Sequence, residues 1–259
     1  MSPSTTAPRL WLWPNLLSLD APIIAVLWQV FFARCFHADV SVAAAVLLML
    51  AVWLIYAADR VFDARSESKL PRHEFYRRNW RAVAPVWAVV LTTAAWLALT
   101  RLPATLFERG VLLSAAVAAY LVVVHMAPRR NWPKEMAVAV LFALGASLVA
   151  WGRIRSTVDV ATILLFSCLC WINCLAIEKW ERRKTGLPIG LAATCVAFAA
   201  ILFLLHGRPV LGAAETASAV AFVLLDRGRD RLSRDALRVL ADVALLSPVL
   251  FLPIAGTLV

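Results

Sequence analysis

The chain has 259 residues, 62% of them hydrophobic, with 26 Lys and Arg against 16 Asp and Glu and a mean hydropathy of +0.78. Soluble domains carry about 45–50% apolar residues even with Gly counted, so this composition excludes a soluble globular protein and describes a polytopic membrane protein. The formal charge of +10 would suit a nucleic-acid binder, but the Lys and Arg lie in loops between apolar runs, and no nucleic-acid partner is expected.

In chain order, segment 1–15 is rich in Pro and Trp, has Arg9 as its one basic residue, and lacks the charged start and cleavage site of a signal peptide. It reads as a cytoplasmic N-terminal segment, followed by a first membrane run that is retained. Apolar runs then fall at about 16–36, 41–63, 82–100, 106–125, 135–151, 158–181, 188–206, 209–226 and 236–256. Each is long enough to cross a bilayer or nearly so. The expected architecture is all-α, a single membrane domain over 16–259 with about nine transmembrane helices.

Lys and Arg set the orientation. With nine spans, the N-terminus and every second loop share one side, and that side holds 20 of the 26 basic residues. The six on the other side are Arg34, Arg101, Arg109, Arg153, Arg155 and Arg208. This asymmetry places the N-terminus in the cytoplasm, and the expected location is a bacterial inner (plasma) membrane.

The stretch that organises the chain is Trp53 to Arg65, where an uncharged run stops and two carboxylates appear. If the second helix continues through Asp63, then Tyr56, Asp59, Arg60 and Asp63 stand at i, i+3, i+4 and i+7 and share a face. Two carboxylates one turn apart repel unless a cation lies between them or one is protonated. A divalent ion with oxygen ligands, usually Mg²⁺ carrying phosphates, relieves that conflict, as would ion pairs with Arg60 and Arg65. A second cluster closes the sixth run: Asn173, Ile177 and Glu181 share a face, and Glu178 neighbours Glu181 at i+3. Its plainer reading is a salt-bridged helix end, satisfied by Lys179, Arg182 or Arg183. The two clusters lie four spans apart on the same side, as an internally duplicated four-helix unit would place them. Asp20 opens the first helix and Asp242 lies one turn inside the ninth, again on that side, whereas Glu215 sits nearer mid-membrane. Ionisable groups in membrane spans are costly, so their gathering at one end points to a functional site.

Other chemistries find no support. The five cysteines lie inside apolar runs, and His37, His73, His125 and His206 are scattered over both sides. There is no P-loop, dinucleotide fingerprint or CxxC pair, and Asp63-Ala64-Arg65 lacks the glycines of a CDP-alcohol phosphotransferase motif. A secondary transporter would show broken helices and charges near the midplane.

Nine helices with carboxylates after the second and the sixth resemble the UbiA superfamily of intramembrane prenyltransferases. Asp59-x-x-x-Asp63 is similar to the end of that family's first motif, and Lys134-Glu135 leading into Leu141 to Gly145 resembles its fifth helix. Ile55 and Tyr56 stand where the first motif has Asn and Asp, and Asn173, Glu178 and Glu181 stand where the second has Asp.

The resemblance implies Mg²⁺-dependent transfer of a prenyl group from a prenyl diphosphate to a lipophilic acceptor, an aromatic or quinone precursor. Asp59, Asp63, Glu178 and Glu181 would hold the metal. Arg60, Arg65, Arg129, Arg130 and Lys134 would meet the diphosphate oxygens, with Tyr56 and Asn173 also lining the substrate site. A terpene cyclase of the same superfamily and a silent lipid-binding or structural membrane protein remain alternatives. Prenyl chain length and oligomeric state are left open.

Overall fold

The computed structural model describes residues 17–63, 80–126, 134–182, 187–205 and 207–256, with the side chains of 60–63, 80, 82, 125, 126, 181 and 182 left aside. In a hydrocarbon environment backbone polar groups must be satisfied within the segment, which leaves the helix as the solution for an apolar run. The order is α1 Asp20–Cys35, α2 Val42–Asp63, α3 Trp80–Arg101, α4 Ala104–Met126, α5 Lys134–Ser147, α6 Thr157–Arg182, α7 Ile189–Leu205, α8 Pro209–Gly228, α9 Arg234–Ala244 and the one-turn α10 Pro248–Phe251. There is no strand among the described residues. Among the described residues, seven helical stretches are long and apolar enough to cross a membrane, those of α2 to α6, α8 and the α9–α10 stretch Arg234–Ile254. α7, at 17 residues, and α1, at 16, are shorter.

Local chemistry fixes several helix starts. Ser156 and Asp159 form a reciprocal cap on α6: the Ser156 hydroxyl accepts from the Asp159 N–H (3.2 Å), and the Asp159 carboxylate accepts from the Ser156 N–H (3.1 Å). Ser41 accepts from the Ala44 N–H at the start of α2, and Ser233 from the Ala236 N–H at the start of α9.

The ninth run departs from the continuous helix expected over 236–256. α9 stops at Ala244, Leu245 to Ser247 form a turn, and α10 begins at Pro248. The cause is Pro248, which has no N–H and whose ring would collide with the carbonyl four residues back, that of Ala244. The chain answers with tighter bonds, Leu245 N–H to Asp242 O (3.1 Å) and Leu246 N–H to Val243 O (2.9 Å). The fifth run likewise tightens after Ser147, into a 3-10 segment over Leu148–Arg153.

α1 lies at the centre, packed against α2, α5, α9 and α10, while α6 packs against α5, α7, α8 and α9. Trp28 holds these elements together. Its ring stacks on Phe166 with centroids 4.0 Å apart, Phe31 and Phe32 flank it at 5.6 and 5.4 Å, and its indole N–H donates to the Leu245 carbonyl at 2.8 Å. That bond occupies a carbonyl at the break after α9, so the aromatic core and the helix break fit one another.

Candidate functional site

α1, α2, α6 and α9 bring one polar cluster together inside the apolar bundle. Asp20 is the first residue of α1, where a carboxylate suits the helix N-terminus, and its Oδ1 accepts from the Ala21 N–H at 3.0 Å. From α9, Asp242 hydrogen-bonds the Asp20 carboxyl and accepts a bond from Asn173 Nδ2 of α6 at 3.1 Å. Arg238, one turn earlier on α9, adds a positive charge within electrostatic range of Asp242. Tyr56 of α2 lies within electrostatic range of the same group, of Asp20 and Asp242 as well as Cys170 and Cys174. Asn173 Oδ1 is buried and has no hydrogen-bond partner, leaving one hard oxygen acceptor unspent in the cluster.

The carboxylates singled out in the sequence stand just beyond this group. α2 continues through Asp63 and α6 through Arg182, so both motifs are helical to their ends. Asp59 is exposed, one turn past Tyr56, and Glu178 is half-buried, five residues past Asn173, about 7.5 Å of helical rise. Arg60, Asp63 and Glu181 occupy the last turns of the same helices, with side chains outside those described. Arg65, Arg129 and Arg130 lie outside the described residues. Lys134 opens α5 and is exposed. Among the described residues no three His, Cys, Asp or Glu side chains converge as a metal would need, a set that omits Asp63 and Glu181.

Two neighbours of the motifs tie helices together. Trp53 donates its indole N–H to the Leu17 carbonyl (3.1 Å), and Trp180 donates to Asp226 of α8 (3.4 Å). Asp226 also accepts from the Gly190 N–H at the start of α7 (2.9 Å) and from Arg229 (3.1 Å), anchoring the end of α6 to both following helices.

Tyr56 and Asn173 share a neighbourhood with Asp20 and Asp242, which sequence reasoning put on the same side as the two motifs without assigning them to the site. The signal was present: each is a carboxylate within or at the edge of an apolar run, and Asp242 stands four residues from Arg238 on one helical face.

Comparison of the chain with family models, with curated proteins and with solved structures gives no match.

Proposed function

We propose that this protein is a UbiA-type intramembrane prenyltransferase, using Mg²⁺ to transfer a prenyl group from its diphosphate to an aromatic or quinone-precursor acceptor. The observation that carries this reading is the polar cluster of Asp20, Tyr56, Asn173 and Asp242 below the carboxylate-bearing ends of α2 and α6. A substrate with an anionic head and a long apolar tail needs such a charged rim on an apolar bundle.

The donors fit the metal in kind: Asp59, Asp63, Glu178 and Glu181 offer carboxylate oxygens, and Asn173 Oδ1 is a buried acceptor without a partner. Bound there, Mg²⁺ would supply Lewis-acid neutralisation of the diphosphate leaving group. The chain's own residues do the rest. Arg60, Arg65, Arg129, Arg130 and Lys134 bind and orient the diphosphate. Apolar walls exclude water as the allylic C–O bond breaks, and Tyr56 presents a ring to the developing cation. An acceptor ring carbon forms the new C–C bond, and the displaced ring proton passes to a carboxylate of the cluster. The N-terminus and the site face the cytoplasm of a bacterial inner membrane. A reporter fused at Arg182 is then internal and one at Arg155 external, and both on one side would end the nine-span topology.

The deciding assay incubates purified protein with prenyl diphosphates of several lengths and Mg²⁺ and measures diphosphate release. Release that needs an acceptor supports the transferase. Acceptor-independent release with a hydrocarbon product identifies the cyclase, and no release leaves the silent lipid-binding protein. Because Asp59 is exposed at the rim, Asp59→Ala should abolish release without lowering the melting temperature. Parallel loss of both would identify Asp59 as a structural ion-pair partner.

A further inference from the structure

Away from this cluster, α8 carries a carboxyl that the proposed chemistry does not use. Glu215 is fully buried, on the inward face of α8 with Leu211, Ala214, Ser218 and Phe222, and neither carboxyl oxygen has a hydrogen-bond partner. It lies six residues from Pro209, about 9 Å into the helix from the end that carries Arg208. The break after α9 packs on this same turn. The Ser247 hydroxyl donates to the Ala214 carbonyl (2.8 Å) and shares a hydrogen bond with Ser218 Oγ (2.7 Å).

An ionised carboxylate with neither counter-charge nor donor costs several kcal/mol in a dry interior, so its occupant must be found among the groups that face it. From α1 and α6 these are the Cys35 and Cys168 thiols, both within electrostatic range of Glu215. From α8 and the break they are Ser218 and Ser247, whose hydroxyls are already bonded to each other and to Ala214. Arg208, a full charge that acts on Cys35, is already ion-paired to Asp159. A hard metal cation would find too few free oxygens here, whereas a proton needs only the carboxyl itself. A small open cleft is lined by Cys35, Arg208, Val210, Leu211 and neighbouring backbone, and Leu211 stands one helical turn from Glu215.

We propose that Glu215 is a proton-exchanging carboxyl within the membrane, reached from the Arg208 end through the Cys35 cleft. In the exchange the Glu215 O–H bond breaks, its proton passes to a water in the cleft to give hydronium, and the electron pair of that bond stays on the carboxylate left behind. The reverse step restores the acid. This stands apart from the prenyl-transfer reading and does not depend on it.

The test is infrared difference spectroscopy on the full chain in lipid bilayers, following the C=O stretch of a protonated carboxylic acid. The expected result is a band that moves to lower frequency in D₂O, disappears as the pH is raised, and is lost in Glu215→Gln, which keeps the size and neutrality of the acid. Glu215→Asp should restore a band that titrates over a different pH range. The proposal is overturned by the absence of the band in the wild type, or by its persistence in Glu215→Gln. It is equally overturned by a Glu215 band that neither shifts in D₂O nor changes with pH, which would make the residue a sealed structural acid.

Discussion

The hairpins α3–α4 and α7–α8 are made from similar material and pack in opposite ways. Among the described residues α7 and α8 make the most extensive helix–helix contact, while α3 and α4 scarcely touch. Eight residues of α8 are buried, whereas α3 buries only Ala94 among its described side chains and α4 none. Small residues alone do not explain the difference. α4 carries Gly110, Ser114 and Ala118 at four-residue spacing, the kind of stripe that lets membrane helices approach, yet nothing lies within 4 Å of a Cβ placed on Gly110. A Cβ on Gly212 of α8 would lie 2.6 Å from the Ala200 carbonyl oxygen and 2.6 Å from the Leu204 nitrogen. In lipid there is no hydrophobic drive between helices, so closeness comes where backbone meets backbone and polar bonds cross, as Asp226 does from α8 to Gly190.

The contrast predicts a large difference between two tryptophans. Trp28→Ala removes the stack on Phe166 and leaves the Leu245 carbonyl without its donor, which should cost about 3–5 kcal/mol. Trp96→Ala on the outward side of α3 loses an exposed ring and one contact with Arg101, worth under about 1 kcal/mol. Reversible unfolding in mixed micelles would measure both. Equal losses would mean that the α3–α4 hairpin is as firmly packed as the rest. Second in size is Gly212→Ala, where the added methyl must push α7 from α8 at a cost of about 1–3 kcal/mol. Unchanged stability there would show that the pair can part without penalty.

The apolar runs were legible because lipid imposes a simple rule, and α2 and α6 run to their carboxylates as their sequences predict. The stop after Ala244 was also written in the chain, in Pro248, but an apolar run on both sides concealed it. Which helices meet was not legible, since hydropathy reports the solvent and says nothing of the neighbour. For the same reason the cluster was seen in pieces. Tyr56 and Asn173 were picked out by spacing, but their junction with Asp20 and Asp242 needs α1 and α9 to lie beside α2 and α6, which no local pattern states.

That junction changes one expectation. From sequence, Asn173→Asp looks like the recovery of a metal ligand that lowers the Mg²⁺ requirement. In the structure Asn173 Nδ2 donates to Asp242, so an aspartate would replace a donor with a like charge against the Asp20–Asp242 pair. The α6–α9 contact should weaken by about 1–2 kcal/mol, with no gain in Mg²⁺ affinity. A Mg²⁺ titration of diphosphate release run beside an unfolding curve separates the outcomes. A lowered Mg²⁺ requirement at unchanged stability would show that the residue serves the metal before it serves the fold.

The smallest effect is the most direct probe of the exposed hairpin. At Gly110→Ala the new methyl meets open space, because nothing stands within 4 Å of it. Glycine in a helix interior costs roughly 1 kcal/mol relative to alanine through backbone entropy alone. The bilayer already restrains α4 as a helix, so only part of that gain should be realised, and the variant should be neutral or up to about 0.5 kcal/mol more stable. The sign is opposite to that at Gly212, although both changes are the same methyl on a membrane helix. Paired unfolding measurements of Gly110→Ala and Gly212→Ala in one lipid mixture test this. If Gly110→Ala instead destabilised the protein by as much as Gly212→Ala, then α4 must lie backbone to backbone against another helix in the membrane. The Gly110, Ser114, Ala118 stripe would then be a contact face, and the difference between the hairpins would belong to the isolated chain alone.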